Sequence, residues 1–214
     1  MVELGCPISI IGILLAIGIP AMSIVWQRKA HNTHVNNLRN IGIALVISAN
    51  ENPEDRFPAT LDGVHEAKSS TDVFNYLITL GVLKDKSSVY TPTDGKVAPS
   101  NTKASDLTAD NVCVNYMVNR TKGKTRGVKQ NVEGCEFLPL LWSSGNAPLV
   151  VKSGADLEVL TTGARKQAGA AVYYCNNTAY FKKAKDNGND HLYIGDFIPK
   201  EFKPGAELFE ELKP

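Results

Sequence analysis

Side chains capable of catalysis are scattered along the 214-residue sequence. The histidines fall at His31, His34, His65 and His191, and no serine or cysteine stands in a Gly-x-Ser-x-Gly turn that would present a nucleophile. Acid–base or nucleophilic chemistry requires groups within hydrogen-bond reach of one another, and no motif here predicts such a group. The sequence therefore predicts a protein that is not an enzyme.

The cysteines, Cys6, Cys113, Cys135 and Cys175, form no Cys-x-x-Cys pair and no Cys/His spacing typical of zinc sites. A metal site built on sulfur is therefore not expected. If the body is extracytoplasmic, one disulfide can form among Cys113, Cys135 and Cys175. The sequence does not fix the pairing; Cys113 with Cys135 is favoured because they flank a polar segment, and buried thiols are the alternative.

Two polar runs are candidate binding sites. Asp186, Asn189 and Asp190 belong to an oxygen-rich run that resembles a calcium loop, but the run lacks the EF-hand spacing and its closing glutamate. A plain turn is favoured there, and no cofactor is expected. A basic run has no interleaved aromatic residues of the kind that single-strand binding uses, so a solvated loop is favoured and no specific nucleic acid is expected. The run contains Arg120, Lys122, Lys124, Arg126 and Lys129.

The N-terminal segment is apolar, since Leu4 to Gln27 contain no Asp, Glu, Lys, Arg or His. As a helix, 24 such residues would extend ~36 Å at ~1.5 Å per residue, enough to cross a bilayer core of ~30 Å. A signal peptide would need basic residues where Glu3 stands. A buried core helix is the other alternative. The pattern favours a single retained span over residues 1–27.

The following residues predict an amphipathic continuation of the same helix over residues 28–52, within a globular domain of residues 28–214. Val35, Leu38, Ile41 and Leu45 recur at helical spacing, and no proline interrupts the chain between Pro20 and Pro53. We expect these four side chains to dock the helix on a sheet. The predicted fold is α+β, with a long N-terminal helix packed on a small antiparallel sheet.

Later elements are short. Thr71 to Leu80 predict a second helix, and a hairpin is predicted around Asn176-Asn177, because asparagine tolerates the left-handed conformation of tight turns. Glu207 to Leu212 are predicted to form a short terminal helix, with a frayed end as the alternative. Further strands are predicted at Val112–Val118, Phe137–Trp142, Leu149–Lys152 and His191–Ile194.

About the first 60 residues resemble type IV pilins and type II secretion pseudopilins. In that family a glutamate opens the apolar helix and a proline follows seventeen positions later, as Glu3 and Pro20 do here. The resemblance rests on Glu3-Leu4-Gly5-Cys6, the apolar run Ile8 to Ile19, Pro20-Ala21-Met22, the stretch Asn36 to Leu45, Ala49 to Asn52, and Arg56-Phe57-Pro58.

The resemblance implies a structural subunit of a pilus or a secretion pseudopilus. Its partners would be copies of itself or related subunits, with the chain anchored once in the inner membrane and the body extracytoplasmic. Glu3 would pair with the N-terminal amine of a neighbouring subunit. The alternative is that Glu3 lies at the membrane headgroup interface and interacts only with the positive end of the helix dipole. A monomeric, membrane-anchored binding domain is the alternative function.

The sequence departs from the family before Glu3. The family carries a short basic leader, whereas only Met1 and Val2 precede Glu3 here. Arg28, Lys29 and Arg39 follow the apolar segment, and the positive-inside tendency alone would place the body in the cytoplasm. A leader upstream of Met1 would remove this conflict, so we expect that the natural chain begins earlier or is processed differently.

Overall fold

A computed structural model describes most of the chain. Its description covers residues 5–60, 65–90, 96–100, 107–121, 124–130, 138–143, 150–152, 156–160, 169–183, 191–193 and 209–212. By its internal contacts the chain divides into two compact units, Met1–Thr33 and His34–Pro214.

Two α-helices occur in the described residues. Helix α1 runs over Gly5–Asn50, and helix α2 runs over Ser70–Thr79. Helix α2 begins with a capping box, in which the Ser69 hydroxyl accepts a hydrogen bond from the Asp72 amide and the Asp72 carboxylate accepts one from the Ser69 amide. The predicted second helix is therefore confirmed to within one residue at each end.

Nine strands form two antiparallel sheets in the described residues. The main sheet has the order β2-β1-β3-β6-β7, and β9 also pairs with β1, whereas β4, β5 and β8 form a separate three-stranded sheet. The strands are β1 Val114–Thr121, β2 Lys124–Gly127, β3 Pro139–Ser143, β4 Val150–Lys152, β5 Asp156–Leu160, β6 Gly169–Tyr174, β7 Ala179–Lys183, β8 His191–Tyr193 and β9 Phe209–Leu212.

The predicted hairpin is present between β6 and β7. Asn177 has a φ of 65°, in the left-handed region, and its amide donates to the Tyr174 carbonyl at 3.0 Å. The Asn176 side chain accepts from the Thr178 amide at 3.0 Å, which closes an Asx turn. The four other strands predicted from sequence correspond to β1, β3, β4 and β8, each shifted by at most three residues.

The C-terminal prediction is wrong. Residues Glu207 to Leu212 were expected to form a helix, but Phe209–Leu212 form strand β9, which pairs with β1 so that Met117 lies opposite Glu211. Leu212 is buried at the end of this strand. Pairing with a preformed strand supplies the backbone hydrogen bonds, and this tertiary gain overrides the local helix preference of a Glu- and Leu-rich segment.

The predicted fold class is also wrong. It combined a helix whose first half spans a membrane with a small, pilin-like antiparallel sheet. Among the described residues, no helix is both long and apolar enough to cross a membrane. The main sheet has six strands and a second sheet adds three. The short strands β2 and β9 each pair with β1, and β5 pairs with β4 and β8. These short strands form because their neighbours supply the backbone hydrogen bonds.

Both faces of the main sheet are buried. Tyr116 and Met117 are adjacent in β1, so their side chains point to opposite faces, and both are inaccessible to solvent. Leu141 and Trp142 repeat this pattern in β3. The body therefore has apolar layers on each side of the central strands, and the second half of α1 contributes to one of them.

Candidate functional site

The predicted docking face of α1 points into the core of the body. Leu38, Ile41 and Leu45 are buried, and Val35 packs partly buried against the same cluster. Full burial of one such side chain contributes about 1.5–3 kcal/mol relative to its exposure. The last four turns of α1 are therefore held by apolar contacts with the rest of the body.

Gly42 allows the helix to approach the sheet closely. A Cβ atom at this position would overlap the ring of Tyr173, which belongs to β6. The ring is fixed at its far end, because the Tyr173 hydroxyl donates to Asn177 Oδ1 at 2.7 Å in the hairpin turn. The hairpin turn thus positions the aromatic ring on which the backbone of α1 rests.

Polar side chains hold the two edges of this docked helix. Asn37 Nδ2 donates to the Tyr90 carbonyl at 3.1 Å, and Asn40 Nδ2 lies 3.4 Å from Ser88 Oγ. On the other edge, Arg39 Nη2 donates to the Ala179 carbonyl of β7 at 3.3 Å. These contacts were not predicted from the sequence. Their only sequence signal is the group of polar residues on either side of Leu38.

Exposed apolar side chains lie on α1 in each of the two units. In the body, Ile43 is 58% exposed and Ile47 is 42% exposed. In the N-terminal unit, Ile19, Met22 and Val25 are each more than 60% exposed. Exposed aliphatic residues are common one at a time, but two or three of them close together within one unit provide apolar surface for contacts with another molecule.

The other predicted site residues are placed as follows. Pro20 lies within the first half of α1. Glu3, Cys135 and the calcium candidate Asp186, Asn189 and Asp190 lie outside the described residues. Cys113 and Cys175 are buried. In the described part of the chain, no group of three or more His, Cys, Asp or Glu side chains is arranged to hold a metal ion.

Three buried tyrosines of the core, Tyr116, Tyr173 and Tyr174, have raised pKa values. Burial, and secondarily the electrostatic interaction with Cys175, raise the pKa of Tyr173 to about 12 and hold that of Tyr116 well above its ordinary value. The Tyr116 hydroxyl donates to the Pro58 carbonyl at 2.8 Å. Burial and the 2.6 Å hydroxyl contact with Tyr180 raise the pKa of Tyr174. At neutral pH these phenols are protonated and act as structural hydrogen-bonding groups.

These shifts predict a loss of stability in alkali. Because the pKa of Tyr173 is raised from 10.0 to about 12 on folding, its contribution is complete below pH 10 and disappears as pH rises toward 12. Each proton released only on unfolding lowers the free energy of unfolding by about 1.4 kcal/mol per pH unit. Phenolate absorbance at 295 nm and the far-ultraviolet circular dichroism should therefore change together in this range.

The control for this prediction is Tyr173→Phe. It should lower stability by about 1 kcal/mol at neutral pH through loss of the bond to Asn177, yet give a flatter dependence on pH above 10. An unchanged slope in this variant would contradict the role assigned to Tyr173.

Comparison with known proteins found nothing similar to this chain. No protein-family model, no curated protein and no solved structure matches the chain. The surfaces of α1 and the sequence resemblance are therefore the basis for assigning a function.

Proposed function

We propose that the chain is a structural, non-catalytic subunit that assembles with copies of itself or related subunits into a pilus-like or pseudopilus-like filament. The apolar N-terminal part of α1 is the assembly element, and the body is carried on it. The inner-membrane location of the subunit and the extracytoplasmic position of its body belong to the same proposal, on the strength of the sequence resemblance.

One observation carries this proposal: the exposed apolar side chains of Ile19, Met22 and Val25 in α1. Their spacing of three residues keeps them on neighbouring parts of the helix surface. Burying apolar surface is favourable by about 25 cal/mol per Å², so contact with equivalent helices stabilises an assembly of many copies. The pairing expected for Glu3 would add register between subunits, because an unpaired carboxylate in a dry interface is costly.

The test is the filament yield of the full chain, counted by electron microscopy at matched expression. Met22→Asn should reduce filament number by about tenfold, since it replaces an apolar contact in each subunit interface with a polar group that must be desolvated. Asn32→Ser is the matched control, because Asn32 is also exposed on α1 but polar. It should leave the yield unchanged.

Two results would count against the proposal. Equal filament numbers from wild type, Met22→Asn and Asn32→Ser would remove the exposed apolar surface from the assembly mechanism. A wild-type chain that stays monomeric at high expression, with no filament and no intermolecular crosslinks, would instead favour the alternative of a monomeric, anchored binding domain.

A further inference from the structure

The outward face of α1 in the body carries a row of four residues, which we name the outer ridge: Arg39, Ile43, Ile47 and Glu51. All four are exposed, and each follows the previous one by four positions. Glu51 lies just beyond the end of α1, but its amide still donates to the Ile47 carbonyl at 3.3 Å, so it continues the helical path. At about 1.5 Å per residue, the ridge is ~18 Å long.

The order of side chains along the ridge is a cation, two isoleucines and an anion. A second copy running antiparallel, related by a twofold axis beside residue 45, would place Arg39 opposite Glu51 and Ile43 opposite Ile47. The same axis would place the exposed Asn40 of each copy opposite the exposed Asn50 of the other. A parallel, in-register copy would instead oppose like charges at both ends, which is unfavourable.

From this charge complementarity we propose that the outer ridge is a twofold, antiparallel contact between the bodies of two copies of the chain. The two isoleucines of each copy form its apolar centre, and two Arg39–Glu51 pairs form its ends. Arg39 already donates one hydrogen bond, from Nη2 to the Ala179 carbonyl. A guanidinium has five N–H donors, so that bond orients the side chain and leaves others for a carboxylate.

This contact is independent of the proposed filament. It uses residues 39–51 of the body, whereas the proposed filament uses the first half of α1. A protein that forms no filament would still pair through the ridge, and a filament of wild-type yield would form without it. The two inferences can therefore fail separately.

A charge-reversal series in the full chain tests the proposal. Dissociation of the body-to-body dimer is measured in detergent over a concentration range, with the first half of α1 unchanged in every variant. Arg39→Glu and Glu51→Arg should each weaken association by about tenfold or more, because each reversal turns two attractions per dimer into two repulsions. The double variant Arg39→Glu/Glu51→Arg should restore association to within about threefold of wild type.

The apolar centre is tested by Ile43→Ser, which should also weaken association by about tenfold. Lys68→Glu is the control reversal at an exposed lysine outside the ridge, and it should leave association unchanged. Failure of the double reversal to restore association, or equal effects of Lys68→Glu and Arg39→Glu, would overturn the proposal.

Crosslinking gives the direction of pairing. A photo-crosslinking amino acid at position 40 should attach to the partner near Asn50 in the antiparallel arrangement. Attachment near position 40 of the partner would show a parallel contact and overturn the proposal. Attachment outside residues 36–54, or only within the same chain, would also overturn it.

Discussion

Replacing Ile41 with alanine is expected to lower the free energy of unfolding by about 2–5 kcal/mol, the range for deleting a buried aliphatic side chain. Ile41 is fully buried in the contact between α1 and the core. The chain offers a close control, because Ile43 is the same residue type in the same helix and is 58% exposed. Ile43→Ala should change stability by less than about 0.5 kcal/mol when both variants are measured below the concentration at which the ridge dimer forms.

Both variants should be compared by denaturant unfolding of the full chain under one set of conditions. Trp142 is fully buried in β3 and reports on the core, and a Trp26→Phe background makes it the single tryptophan. If Ile41→Ala and Ile43→Ala shift the transition equally, the docked face of α1 has been assigned incorrectly. A large loss only at Ile43 would reverse the two faces.

Local patterns in the sequence predicted the elements whose signals lie within a few residues. The three-four spacing of Leu38, Ile41 and Leu45 identifies the side of the helix that is buried in the structure. The hairpin was predicted because Asn177 can adopt the left-handed conformation at little cost, and it does so. Helix α2 was predicted from its periodicity and the glycine that follows it.

The sheet was predicted less completely, because the number of its strands depends on pairing between distant segments. Strand β9 lies about 90 residues after its partner β1, and a four-residue segment gives too weak a local signal to oppose its helix propensity. Strand β2 is short and mostly polar, and because it lies at the edge of the sheet most of its side chains are at least partly exposed, which leaves no apolar pattern to predict it. Such strands form because a neighbouring strand supplies their hydrogen bonds.

The candidate site shows the same division. The apolar face of α1 was predicted, but its polar anchors were not, because Asn37 reaches Tyr90 and Arg39 reaches Ala179 across long stretches of sequence. The outer ridge has no separate signal in the sequence. Ile43 and Ile47 are two of many apolar residues in this helix, and only their exposure in the structure distinguishes them from the residues that face the core.

Gly127 is the position where a single methyl group is expected to be most damaging. It ends strand β2 and lies against the backbone of Phe57, so that a Cβ atom would overlap the Phe57 carbonyl. The two segments are tied together here, because the Phe57 amide donates to the Val128 carbonyl and Arg56 Nη1 donates to the Gly127 carbonyl, each at 3.0 Å. A methyl group would force these segments apart.

Gly127→Ala should therefore lower the free energy of unfolding by about 3 kcal/mol or more, at the upper end of what overpacking costs. Arg126→Ala is the neighbouring control in the same strand, and because Arg126 is exposed it should change stability by less than about 0.5 kcal/mol. Denaturant unfolding followed by Trp142 fluorescence measures both.

Comparison with a second glycine, Gly42, distinguishes overlap with backbone atoms from overlap with a side chain. Gly42→Ala should also be destabilising, because a Cβ atom there would overlap the ring of Tyr173. In a Tyr173→Leu background, Gly42→Ala should lower the free energy of unfolding by less than it does in the wild type. No such relief is expected for Gly127→Ala from Phe57→Ala, because the obstructing atoms belong to the main chain and remain after the ring is removed. If Phe57→Ala did restore the stability of Gly127→Ala, the contact would be with the side chain, and the close packing of the two backbone segments would be wrong.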